Sequence, residues 1–186
     1  NTNLDDIANA YSSFEIDLKT PKNFEAISDL KSSKSSVNDP FINYKLSGNN
    51  RADFNLIIEP KTHFESYTNS AVEVLTDLRN NKLDNIQKAI VIDRIVNFAN
   101  DLIGKYPHEK IIVSQTDYER NPFYGLNQLP SFISPFSDEF LFEIKFLKTY
   151  LNEYLKTSLQ LDPRKDNWIY DGLQVYAMMK YIDENH

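Results

Sequence analysis

The chain of 186 residues contains no cysteine. Disulfides, thiolate metal sites and cysteine nucleophiles are therefore excluded, although the compartment is not fixed by this. Histidine is almost as scarce, with only His63, His108 and His186, spread along the chain with no serine-histidine-aspartate pattern around them. Four glycines are too few for a glycine-rich phosphate cradle, and neither a P-loop nor a dinucleotide-binding fingerprint occurs. No stretch of 18 apolar residues is present, and the opening NTNLDDIANA lacks the basic start and apolar run of a signal peptide. The chain is thus expected to be cytoplasmic or to have lost a leader. A formal net charge of −7, with no basic block, excludes a general nucleic-acid binder.

What is abundant is aromatic surface: 12 Phe and 11 Tyr stand beside a single Trp. Rings in this number suit a large packed interior. The length allows one domain, or a small one with part of another.

The first 60 residues read as strands. Phe14 to Leu18 alternates, Phe24 to Leu30 is a second short run, and Phe41–Leu46 with Asp53–Glu59 flanks Ser47-Gly48-Asn49-Asn50, which predicts a β-hairpin. The serine- and lysine-rich tract from Lys31 to Pro40 reads as a solvated loop. Ala71 to Thr76 is strand-like. Asp84 or Asn85 then caps a helix from about Ile86 to Ile103, with a stripe of Ile86, Ala89 or Ile90, Asp93, Val96, Ala99 or Asn100, and Ile103. Gly104 stops it, Pro107 follows, and Lys110 to Ser114 is a short buried strand. The segment from Gln115 to Ser137, rich in proline and aromatics, reads as a non-helical loop lying across the next helix.

Two helices close the chain. Phe140, Ile144, Leu147, Leu151, Leu155 and Leu159 recur at helical spacing behind the capping sequence Ser137-Asp138-Glu139, and Pro163 ends the pattern. A second helix runs from about Trp168 with a stripe of Ile169, Leu173, Tyr176 or Ala177, and Tyr181, and Trp168 itself reads as core. The carboxylates Asp138, Glu139 and Glu143 are placed as cap and dipole partners rather than as a glycosidase pair. Lys148 reads as a solvated or paired lysine and His108 as a loop residue.

Trp168-Ile169-Tyr170-Asp171-Gly172 resembles the W-L-N-E-G motif of the gluzincin zinc aminopeptidases, the membrane alanyl aminopeptidase and leukotriene hydrolase group. In that family its Glu is the third zinc ligand, 23 positions after the first His of H-E-x-x-H. Counting 23 back from Asp171 reaches Lys148, so the resemblance puts Lys148 and Asn152 at the histidine positions, Thr149 at the catalytic Glu and Asp171 at the last ligand. Phe142-Glu143-Ile144-Lys145-Phe146 is a rival register that keeps the Glu but replaces both histidines. Gly104-Lys105-Tyr106-Pro107 followed by Ile111-Ile112-Val113 also resembles the family's entry into its catalytic domain. Gly125-Leu126-Asn127-Gln128-Leu129 looks like the counterpart of G-A-M-E-N, with Gln128 at the amine-gripping Glu.

The resemblance implies an α+β fold: a β-rich segment over 1–69, the tail of an N-terminal β-domain, then a partial thermolysin-like domain over 70–186. It implies no catalytic residues and no metal ligands, and a remnant cleft of Tyr124, Gly125, Asn127, Gln128 and Trp168. The expectation is a degenerate, non-catalytic domain without cofactor, binding a peptide or protein within a larger periplasmic or secreted protein. The alternative is part of a working zinc aminopeptidase whose active-site residues lie elsewhere, and only then would zinc be the cofactor.

Overall fold

Alternation of apolar and polar residues after residue 11 fixes the first strand, β1 (Ser12–Pro21), whose side chains are alternately covered and solvated. The computed structural model describes residues 10–35, 40–60, 63–80, 82–126, 135–159, 161–162 and 165–186. After β1 come β2 (Glu25–Ser28), β3 (Lys31–Ser35), β4 (Phe41–Arg51) and β5 (Leu56–Glu59). They form two small antiparallel sheets, β1-β4-β3 and β2-β5.

Two expectations fail here. The Ser/Lys tract is not a loop at its start, because Lys31–Ser35 pairs with β4 as an edge strand, exposed at every position. With both faces wet it carries no apolar period to read. Nor do residues 47–50 turn a hairpin: β4 runs straight through them, and β5 pairs with β2 instead. Gly48 serves close approach, since a Cβ there would stand 2.6 Å from Leu30 Cδ2. Leu30, Ile42, Tyr44 and Leu46 make the core of this part.

A third sheet has the order β6-β7-β8, built from β6 (Glu65–Thr68), β7 (Glu73–Thr76) and β8 (Lys110–Val113). β6 and β7 are antiparallel; β7 and β8 are parallel, joined through α1 (Asn85–Leu102). Asp84 caps α1 with Gln87 in a reciprocal capping box. The stripe of α1 differs from the expected one: Lys88, Val91, Ile92, Ile95, Val96 and Ala99 are buried, while Ile86 is 73% exposed and Ile90 59%. A buried Lys88 is tolerated because its ammonium lies 3.1 Å from Glu65 on β6.

The next segment begins as a helix, contrary to expectation. Ser114 caps α2 (Gln115–Arg120) by accepting from the Asp117 amide, and the prolines lie only beyond it. The starts of the two long helices match the reading: α3 (Asp138–Ser158) starts behind Ser137, and α4 (Asn167–Asn185) one residue before Trp168. α3 is the central element, with twelve buried residues and a ring ladder of Phe142, Phe146, Tyr150 and Tyr154 at centroid spacings of 6.1, 5.8 and 6.2 Å. α4 packs on it through Gln174, Ala177, Met178 and Tyr181. Trp168 is not core: it is 70% exposed on the outer face, as are Tyr176 and, in part, Leu173. Among the described residues no helix is long and apolar enough to cross a membrane.

Candidate functional site

Helical spacing brings Lys148, Thr149 and Asn152 to adjoining positions on α3, and the next element, α4, supplies their neighbours. Lys148 is half-buried. Its Nζ donates to Gln174 Oε1 at 3.1 Å, and Gln174 Nε2 donates back to the Lys148 carbonyl at 2.9 Å, so one side chain of α4 holds residue 148 at two points. Burial lowers the Lys148 pKa, and the charge of Asp171 opposes that shift. Asp171 itself is exposed; it acts on Lys148 through space and, among the described residues, is not its hydrogen-bond or ion-pair partner.

Thr149 is buried, and its hydroxyl donates to the Lys145 carbonyl of its own helix at 2.9 Å. Asn152 donates through Nδ2 to Glu153 Oε1 at 3.1 Å. Glu153 was not singled out by sequence reasoning, yet it is 1% exposed. Its second oxygen accepts from Asn55 Nδ2 at 2.8 Å, and burial raises its pKa against the pull of Lys156 and Asn55. Nothing local marked it, because its partner stands 98 residues away.

Glu143 of the rival register faces away from these groups. It is 1% exposed and binds Arg94 of α1 at 2.8 Å, the Tyr181 hydroxyl, and His186 Nε2 at 3.1 Å. Phe142 and Phe146 belong to the ring ladder in the core.

Of the residues expected to line a cleft, Tyr124 and Gly125 are exposed, the latter with φ +99°, and Trp168 points outward from α4. Asn127 and Gln128 lie outside the described residues. Tyr118 does lie against α3, with Lys145 Nζ 5.6 Å from its ring centroid.

As a zinc ligand set, Lys148, Asn152 and Asp171 do not fit. A protonated amine repels a dication, an amide is a poor ligand, and a single carboxylate remains where a site needs three donors. Among the described residues no group of three or more His, Cys, Asp or Glu is placed to hold a metal ion.

No protein-family model and no curated protein matches the sequence. Solved structures do. The M1 zinc metallopeptidase from Deinococcus radiodurans is similar with a TM-score of 0.54 and 14% identity, over 94% of this chain and 41% of that one. A point mutant of that enzyme bound to the substrate Tyr-Ser-Ala gives 0.59 at 14% identity, with the same coverage. A two-domain M1 zinc metallopeptidase mutant bound to L-tryptophan gives 0.58 at 15%. The chain therefore spans about two fifths of the length of the structures it matches, 41% in each case. At this identity the likeness is one of fold: the chain has the mixed α+β architecture of an M1 peptidase-like domain.

Proposed function

We propose that the chain is a peptidase-like domain that keeps the fold without the chemistry, serving as a non-catalytic structural or peptide- and protein-binding module of a larger periplasmic or secreted protein. The observation that carries this reading is the reciprocal pair between Lys148 and Gln174. It occupies the position where the resemblance calls for a metal ligand with a cation already bonded to a neutral amide. Thr149 supports it, since its hydroxyl is spent on its own helix at the position of the general base.

Metal analysis and an aminoacyl-anilide assay test the reading together. The expected result is sub-stoichiometric zinc and no cleavage; one zinc per chain surviving mild chelation would overturn it. The combined change Lys148→His, Thr149→Glu, Asn152→His and Asp171→Glu should install zinc binding measurable by calorimetry. Phe142→His with Phe146→His is the control. Binding by the control alone would show that the count from Asp171 is wrong.

A further inference from the structure

The order β6-β7-β8 leaves one side of β6 without a strand among the described residues. The turn that joins β6 to β7 fixes which backbone groups face that side. The Asn69 amide donates to the Val72 carbonyl at 3.3 Å, so Asn69 and Val72 are a hydrogen-bonded pair of the ladder. Bonded and non-bonded pairs alternate along an antiparallel ladder, which makes Tyr67 with Val74 and Glu65 with Thr76 the next bonded pairs. The N–H and C=O groups of Ser66 and Thr68 therefore turn away from β7, and both residues are exposed. Such a row is a template for another strand.

An apolar groove lies beside this edge. A cavity of about 360 Å³ is bounded by β6, β7 and α1, with Val72, Val74, Ala89 and Ile92 as its apolar walls. The same surface continues along α1: Ile86, 73% exposed, and Ile90, 59% exposed, stand three residues before the lining residues Ala89 and Asp93 and share their side of the helix. Two adjoining isoleucines left in water extend the patch that a partner can cover. The charged residue of the lining is Asp93. Its carboxylate accepts from Asn69 Nδ2 and Asn97 Nδ2, both at 3.2 Å, and among the described residues it is in no ion pair.

These features specify an occupant. Outward backbone groups at strand spacing match an extended chain, apolar walls on one face of the sheet match an apolar side chain at every second position, and a carboxylate without a cation matches a basic residue. A second copy of this chain fits worse, because pairing β6 with β6 would bring together two molecules of net charge −7, each with its own Asp93.

We propose that the open edge of β6 takes an extended peptide segment as a further strand, with alternate apolar side chains in the groove beside α1 and a lysine or arginine toward Asp93. The surface contains no residue of α3 or α4, so the proposal goes beyond the peptidase-like site and does not rest on the loss of zinc chemistry there.

The probe is the peptide Lys-Val-Thr-Val-Thr-Val-Lys, labelled with fluorescein at its amino end and amidated at the other, and its anisotropy is followed on titration with the whole chain. Saturable binding with a midpoint below about 0.5 mM is expected. Two further versions, N-methylated at the valines or at the threonines, separate strand addition from apolar adhesion, since only one alternate set of peptide N–H groups can face β6. One version should lose at least tenfold in affinity and the other should bind as the parent does. Thr68→Pro removes an outward N–H that β7 does not use, and should weaken binding at least tenfold at unchanged far-UV circular dichroism. Should that variant not fold, Ile86→Ser and Ile90→Ser, both at exposed positions, and Asp93→Asn must each weaken binding at least threefold. Lack of saturable binding by the folded protein, equal affinity for the two N-methylated versions, affinity unchanged in these variants, or a dimer of the free chain that Thr68→Pro disperses would each overturn the proposal.

Discussion

Lys148 shows how one side chain of α4 can hold a half-buried cation on α3. Gln174 satisfies both the ammonium and the carbonyl of that residue, which neither a carboxylate nor an apolar side chain could do. Gln174→Met should therefore cost about 1–3 kcal/mol in urea unfolding, because a half-buried ammonium loses its acceptor; no loss would mean that the pair is incidental. Asp29 makes a stronger case. Its carboxyl is buried enough that its pKa is raised despite Arg51 and the Asn55 amide, so Arg51→Met should cost about 3–5 kcal/mol by leaving that group uncompensated. His108 gives a pH signature of known sign. Its folded pKa, about 4, lies below the ordinary value of 6.5, so the unfolded chain binds more protons between these two values. Its contribution to stability is complete above pH 6.5 and is lost as pH falls toward 4. Denaturant titrations of the parent and of His108→Gln at pH 7.5 and 5 check this: the parent should lose more stability than the variant.

Elements were legible where local rules decide them. Ser137 and Asp84 announce two helix starts through their side chains, and the parallel strand after Pro107 is a continuous apolar run. Face and pairing were less so. Sequence pattern alone sets the stripe of α1 one step round the helix because Lys88 counts as polar, and only its distant partner Glu65 lets it turn inward. β3 was missed since its pairing rests on backbone groups that serine and lysine do not advertise. The same limit hid Glu153, Asn55 and Gln174, whose significance comes from contacts 26 to 98 residues apart. Gly48, flanked by serine and asparagines, carries the signature of a turn, yet its constraint is steric. Gly48→Ala should then cost about 1–3 kcal/mol by pushing Leu30 out of its place in the core, with β4 retained in hydrogen exchange.

Among the described residues two hydrophobic clusters are present, one gathered on α1, α3 and the third sheet and the other on β4 and Leu30. Polar contacts between the parts that hold them include Asn55 to Glu153, Lys156 to Asp53 at 3.6 Å, and Tyr11 to the Ser158 carbonyl at 3.2 Å. All three converge on the last two turns of α3. Removal of the buried one matters most. Asn55→Ala should lower the cooperativity of thermal unfolding, splitting one calorimetric transition toward two, because Glu153 then loses a charge-stabilising donor at the join. A single sharp transition in the variant would show that the clusters are coupled by other contacts.

The exposure of Trp168 has a practical meaning for anyone who handles this protein. As the sole tryptophan, 70% exposed at the start of α4, it makes the chain's indole fluorescence a report on solvent at one helix end and almost nothing else. Denaturation will barely shift its emission, whereas the four rings lined up along α3 will lose their near-ultraviolet dichroism as the core opens. A collisional quencher should reach the indole in the native state nearly as well as in the unfolded one, and any molecule that settles on the outer face of α4 will declare itself first as a loss of that quenching.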